Sequence, residues 1–249
     1  MQFSGGKDST CMLLMMLENN VPVDEIIFCD TGMEFPQMYE HIAEVERYIF
    51  SKYGKKITTL KPEKSFEYYL TEHIKKRGKY VGIKGLGWAT PRIRWCTSYL
   101  KIDVVRKYLK SLKDYTLYIG IAYDEPKRHI RKENNVIHYL YDNKITEADA
   151  LKYCYEKGFK WGGLYGDFRR VSCWCCPLKS INELRTLYKK YPQLWQKLKD
   201  MDYKSNQGFY NPFKADYTLA DLEKRFQIEE QMGIEFKKFP KRLLKGDLI

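Results

Sequence analysis

Apolar and polar positions in the first sixty residues alternate between two patterns. Met1-Gln2-Phe3 reads as a stub of strand, and beyond the turn Ser4-Gly5-Gly6 residues 9–20 are apolar nearly all round, which predicts a buried helix. After the Val21-Pro22 break comes Ile26-Ile27-Phe28-Cys29, too brief for a helix and bounded by polar residues, as suits a buried parallel strand. Met38, Ile42, Val45 and Ile49 then recur at helical spacing within residues 37–53, and Ile57-Thr58-Thr59-Leu60 follows the basic turn Gly54-Lys55-Lys56 as another strand. Strand, helix, strand, helix, strand predicts an α/β fold: a parallel sheet with helices on both faces, joined by right-handed crossovers, with ligands at the strands' carboxyl ends.

Further on the pattern changes. Residues 77–87, rich in Gly and Lys, read as a mobile loop, residues 102–112 as a helix and residues 117–121 as a buried strand. Thr146-Glu147-Ala148-Asp149 has the form of a helix cap, and residues 180–202 and 218–232 read as further helices. The expected organisation is an α/β core over residues 1–145 and a mainly helical region over residues 146–249, without internal repeats.

Composition narrows the class. A chain of 249 residues that is 44% hydrophobic and 15% aromatic can bury a sizeable core. Its longest apolar run, residues 11–17, is far short of the roughly 20 residues of a membrane span, and no signal segment opens it, so a cytoplasmic protein without membrane association is expected. Seven cysteines in such a chain point to thiols or metal ligands, not to a disulfide framework. The net charge of +12 is concentrated in residues 75–132, with 16 basic and 4 acidic side chains. Both a solvated basic face and a surface for a polyanion or phosphorylated substrate fit this run.

Ser4-Gly5-Gly6-Lys7-Asp8-Ser9, between a strand and a helix, carries the first chemistry. Successive glycine amides at a helix N-terminus form an anion-binding concavity; Ser4 and Ser9 add hydroxyls and Lys7 adds charge. Asp8 would repel a phosphate unless Mg²⁺ bridged the two. The spacing fits neither the ATPase loop nor the dinucleotide fingerprint.

The string resembles the S-G-G-x-D-S loop of the N-type ATP pyrophosphatases, within the adenine nucleotide alpha hydrolase-like group. Asp30-Thr31-Gly32-Met33-Glu34-Phe35-Pro36 is similar to the D-T-G-x-E-F-P segment of the phosphoadenosine phosphosulfate (PAPS) reductase family. The resemblance implies a mostly parallel five-stranded sheet, ATP with Mg²⁺ on the loop, and Asp30 and Thr31 near the nucleotide. A third stretch from Gly120 to Arg128 resembles the family's G-I-R-x-x-E-x-x-x-R region, with Ala122 where the family has arginine; Arg128 and Arg131 remain as anion ligands or as surface ion pairs. Only three residues precede Ser4, fewer than the family's first strand has, which implies an upstream start or a clipped strand.

Cys173-Trp174-Cys175-Cys176-Pro177 and the distant Cys96 supply four thiols that could close one site, either structural zinc or an iron–sulfur cluster. Arg94-Trp95-Cys96-Thr97 with Leu100-Lys101, followed by Cys-Trp-Cys-Cys-Pro, resembles the family's iron–sulfur branch, similar to adenylylsulfate reductases and to the ATP pyrophosphatase subunit of DNA phosphorothioation systems. That resemblance implies a [4Fe–4S] cluster on Cys96, Cys173, Cys175 and Cys176, with Arg94, Lys101, Arg128 and Arg131 facing substrate. Cys11, Cys29 and Cys154 are assigned to the core. His41, His73, His129 and His138 lack ligand spacing and read as solvated or structural, and the aromatics after residue 150 serve either as core or as stacking groups.

Together these readings imply cleavage of ATP to AMP and pyrophosphate, with Lys7, Asp8 and Arg128 catalytic. The product is an adenylylated acceptor (DNA, RNA, a nucleobase or another anion) primed for sulfur transfer. The alternative is reduction of adenylylsulfate or its 3′-phosphorylated form to sulfite. In the family that chemistry uses a cysteine near the C-terminus, whereas the last cysteine here is Cys176. A non-catalytic nucleic-acid-binding scaffold is the alternative from another class.

Overall fold

The computed structural model describes residues 1–130, 134–206 and 212–236. Strand β1 (Gln2–Phe3) pairs in parallel with β2 (Ile26–Cys29), and β2 in parallel with β3 (Ile57–Leu60), in register Ile26 to Ile57 through Cys29 to Leu60. All four β2 side chains are buried, as the uninterrupted apolar run demands of a central strand. Between the strands run α1 (Lys7–Glu18), buried on nearly every face, and α2 (Pro36–Tyr53), which buries Met38, Ile42, Val45 and Ile49. Proline at its first position starts α2, and Gly54, with φ 64°, ends it in the left-handed conformation.

A second parallel ladder joins β4 (Leu117–Tyr118) to β5 (Val136–Ile137). The fold is α/β with five parallel strands, but their hydrogen bonds fall into a three-stranded and a two-stranded ladder instead of one continuous sheet. β1, β4 and β5 have only two paired residues each, and Gln2, Leu117, Ile119 and Val136 line a cavity of about 330 Å³. The helix expected over residues 102–112 begins earlier, as a π-helical turn (Ser98–Ile102) that runs into α3 (Asp103–Leu109). Val105 and Leu109 pack on Ile27 and Cys29 of β2, while the Leu100 carbonyl accepts a bond from Cys29 Sγ at 3.0 Å. Helix α4 (Glu147–Glu156) opens with the expected cap, Thr146 and Asp149 bonding reciprocally, and packs along α1.

These elements make one compact unit, residues 1–63 and 97–173; residues 64–96 and 174–249 make another. Each unit takes chain from both sides of residue 145, so the units do not follow the expected division into 1–145 and 146–249. α4 belongs with α1, and the 64–96 excursion belongs with the C-terminal helices, as in the 2.6 Å bond from Trp88 Nε1 to Asp202.

The second unit holds a capped helical segment (Phe66–Thr71), α5 (Ile181–Lys190), α6 (Pro192–Ser205) and α7 (Leu219–Met232). The single helix expected over residues 180–202 is broken at Tyr191-Pro192, where proline has no amide to continue the ladder. Phe66, Trp88, Trp95 and Phe213 stack into its core. Arg185 and Arg225 hold Glu229 between them, all three buried. Cys11, Cys29 and Cys154 are buried in the first unit as expected. Among the described residues, no helix is long and apolar enough to cross a membrane.

Candidate functional site

Gly5 sets the shape of the loop between β1 and α1. Its φ is +75°, and a β-carbon there would lie 2.7 Å from Met38 Sδ, so a side chain would both strain the turn and drive it off α2. The loop is then tied to itself. Ser4 N donates to Ser9 Oγ at 3.1 Å, the two serine hydroxyls lie 3.0 Å apart, and Ser9 Oγ donates to the Gly6 carbonyl at 3.0 Å. From residues 161–165 comes a second clamp: Trp161 Nε1 donates to the Gly5 carbonyl at 2.7 Å, and the Tyr165 hydroxyl accepts the Lys7 amide at 2.7 Å. Gly120, just past β4, closes on the same turn; a β-carbon there would meet Ser9 N at 3.0 Å and the Asp8 carbonyl carbon at 3.1 Å.

Charge is concentrated at this helix start. Lys7 Nζ lies 2.8 Å from Asp8 Oδ1 and 3.5 Å from Glu147 Oε1, with the lysine buried. Burial pushes the Asp8 carboxyl above its ordinary range; Lys7 opposes that shift, while Glu147 and Glu125 reinforce it. Glu125 in turn holds two guanidiniums, Arg128 at 2.6 Å and Arg170 at 3.0 Å.

A pocket of about 190 Å³ opens over these groups. It is lined by Ser4, Gly6, Lys7, Asp8 and Ser9 of the loop, by Gly120, and by Arg128, Tyr165, Arg169, Arg170 and Val171. The structure therefore brings together the glycine loop, Gly120 and Arg128, three stretches separate in sequence. It also adds Arg169 and Arg170, to which the sequence reading assigned no role, and it sets around the loop Tyr165 and Trp161, read only as core or stacking aromatics, together with Glu125 and Glu147. The one available signal was Arg169-Arg170 immediately ahead of the cysteine segment.

Other expected site residues lie elsewhere. Asp30 and Thr31 do not line this pocket. Asp30 Oδ1 accepts the Gly32 amide and the Tyr39 hydroxyl, each at 2.8 Å, and Thr31 is buried with its Oγ1 3.4 Å from Met33 N. Lys101 pairs at 3.2 Å with buried Glu34, whose carboxylate also lies 3.8 Å from Cys173 Sγ. Burial alone would lower the Lys101 pKa, but Glu34, Cys173 and Cys29 outweigh it and hold the ammonium charged. Arg94 is exposed in the second unit. Arg131 lies outside the described residues.

Of the four thiols read as one site, Cys173 belongs to the first unit and Cys96, Cys175 and Cys176 to the second. Cys175 is buried and the other three are half-buried. Among the described residues, no group of three or more His, Cys, Asp or Glu side chains is placed to hold a metal ion.

Comparison with known proteins bears on the same segments. The family model for the phosphoadenosine phosphosulfate reductase domain matches residues 1–179. Two uncharacterized proteins of Methanocaldococcus jannaschii are similar to this chain. One is 26% identical over 215 residues, covering 78% of this chain and 39% of the relative; the other is 27% identical over 249 residues, covering 92% and 55%. The chain thus spans about half or less of the length of these curated relatives. The matched stretch contains the glycine loop, Gly120 and all three pocket arginines, and on that match the chain belongs to the phosphoadenosine phosphosulfate reductase domain family.

Proposed function

We propose that this chain cleaves ATP between its α and β phosphates and adenylylates an anionic acceptor, activating it for sulfur transfer. The observation that carries this reading is the pocket lined together by the helix-starting glycine loop, the Asp8 carboxylate and the three arginines Arg128, Arg169 and Arg170. Such a set suits a polyphosphate: the loop and its hydroxyls cradle it, Arg128, Arg169 and Arg170 spread over its oxygens, and the Asp8 carboxylate, which holds Lys7 in this structure, would be shared with a cation. Asp8 together with phosphate oxygens is a fitting donor set for Mg²⁺, which when bound would neutralise charge on the phosphates.

The residues act by position and charge. An acceptor oxygen attacks the α-phosphorus, the bond to the bridging oxygen breaks, and its electron pair leaves on pyrophosphate. Lys7 is held at the helix start by Asp8 and Glu147, within reach of the charge that develops on the leaving group. Glu125 fixes Arg128 and Arg170 in place, so little reorganisation is needed as phosphate charge shifts. The sulfur step is supported by family membership and by the thiols of Cys96, Cys173, Cys175 and Cys176, the residues that would hold a cluster or a zinc ion.

The test is ATP-dependent pyrophosphate release. Asp8→Asn is expected to lower it more than about a hundredfold with the fold intact, as loss of a charge-stabilising group in an active site does. Undiminished turnover in that variant would overturn the role of Asp8, and sulfite formation from adenylylsulfate with a thiol reductant would replace this reading by the reductase. Iron, zinc and acid-labile sulfide analysis of anaerobically purified protein decides what the cysteines hold: four iron and four sulfide, lost in Cys176→Ala, support sulfur transfer, and one zinc without sulfide removes it.

A further inference from the structure

From Lys75 to Arg94 the second unit carries seven basic side chains and no acidic one. Residues 77–87 were expected to form a mobile loop, yet residues 73–87 fold into a narrow loop closed by its own backbone. Lys75 N donates to the Ile83 carbonyl at 3.1 Å, Gly82 N to the Lys75 carbonyl at 2.9 Å and Gly85 N to the His73 carbonyl at 2.9 Å, with an antiparallel bridge between Ile74 and Lys84. Gly85 allows the closure: its φ is +77°, and a β-carbon there would lie 2.7 Å from the Leu70 carbonyl oxygen.

This fixed loop presents cations and apolar groups together. Tyr80, Val81 and Ile83 are 42%, 59% and 39% exposed. The ammonium groups of Lys75 and Lys79 lie 5.2 and 5.8 Å from the centre of the Tyr80 ring. At the loop's base, the Tyr69 and His73 rings are 5.3 Å apart, tilted by 38°.

A face that is merely solvated mixes acids with bases and does not expose an aromatic ring among β-branched side chains. A duplex offers phosphates but hides its base faces. A single strand offers both, phosphates for the cations and bases for the ring. We infer that the 73–87 loop is a docking surface for single-stranded nucleic acid, with phosphates on Lys76, Arg77, Lys79 and Lys84 and a base against Tyr80. As the identity of the acceptor, this rests on the proposed adenylylation; as a binding surface, it stands by itself.

Fluorescence anisotropy on the full chain tests it, using labelled single-stranded DNA of about 20 nucleotides, the RNA of the same sequence and the DNA duplex, alongside sedimentation with phosphatidylserine vesicles. Single strands are expected to bind tightest, with log affinity falling against log salt by about 0.7 for each phosphate neutralised. Replacing Lys76, Arg77 and Lys84 together by glutamine should shrink that slope by about 2. Tyr80→Ala should weaken binding at least about fivefold at unchanged slope, with Tyr80→Phe restoring it. Circular dichroism melts confirm that these exposed-loop variants fold.

Absence of oligonucleotide binding, equal binding by the variants, or tighter binding to duplex or vesicles than to single strands would each overturn the inference. Pyrophosphate release from ATP, assayed with and without the strand as acceptor, reports separately on the proposed function. Strand binding without pyrophosphate release removes the adenylylation and keeps the surface, and release without strand binding does the reverse.

Discussion

Arg169 and Arg170 are neighbours in sequence with different partners. Arg170 is fixed by Glu125 at 3.0 Å, the carboxylate that also holds Arg128, whereas Arg169 lines the pocket and enters none of the ion pairs around it. Arg169 is therefore the guanidinium most available to a phosphate. Arg169→Ala is expected to raise the KM for ATP about tenfold or more, the worth of one charge-assisted hydrogen bond, with a smaller effect on kcat; a KM unchanged in steady-state kinetics would remove Arg169 from the site. Asp8 adds a pH signature. Its carboxyl titrates above the usual range because it is desolvated, so metal–nucleotide binding through it should begin to weaken at a higher pH than an ordinary aspartate would cause. In Asp8→Asn that dependence should vanish from an ATP-binding titration. The loop residues were legible in sequence because a Gly-Gly turn before a helix has a local meaning. Arg169, Tyr165 and Trp161 were not, since they reach the loop only when residues 161–170 fold back over it.

At the scale of elements, the hydrophobic pattern located β2 as a short uninterrupted apolar run and α2 by the helical spacing of Met38, Ile42, Val45 and Ile49, with β3 following as the next short strand-like run. It missed the break at Tyr191-Pro192, where the apolar rhythm continues through the proline, and β5, whose two residues carry no periodicity at all. His41 of α2 shows what the pattern leaves out. The residue is buried, its Nε2 lies 3.1 Å from Thr10 Oγ1 of α1, and its ring centre is 4.2 Å from that of Trp161, the planes tilted by 32°. Burial lowers its pKa to about 3, so His41 is neutral in the fold while the unfolded chain takes up a proton below about 6.5. A depressed histidine pKa supplies stability that is complete above 6.5 and drains away as pH falls towards 3. Urea midpoints of the wild type should therefore decline from pH 7 to pH 4 more steeply than those of His41→Gln, and parallel profiles would contradict the neutral, buried assignment. Gly120→Ala belongs to the same scale: wedging a methyl between β4 and the first turn of α1 should cost about 1–3 kcal/mol in a thermal melt.

The whole molecule is interleaved in a way that no local pattern reveals. The chain leaves the first unit after residue 63, returns at residue 97 and leaves again after residue 173. Sequence periodicity shows that α4 and the 64–96 segment have buried faces, not which partners those faces find. The second unit offers a direct measurement, because four of the five tryptophans, Trp88, Trp95, Trp174 and Trp195, belong to it. Fluorescence during denaturation therefore reports mainly on that unit. Glu229 of α7 receives Arg185 through two bonds, at 2.7 and 3.2 Å, and Arg225 through a third at 2.9 Å. Burial works against its charge, but the two guanidiniums outweigh burial and hold its pKa below the ordinary glutamate value. Glu229→Gln would strand two buried cations, at an expected cost of about 3–5 kcal/mol. A depressed carboxyl pKa gives stability that is present above about pH 4.5 and is lost as pH falls through the folded value. The gap between wild-type and Glu229→Gln fluorescence melts should thus be full at pH 7 and shrink progressively below pH 4.5. A gap independent of pH would mean that the glutamine acts by packing alone and that the carboxylate's charge does not hold α5 to α7.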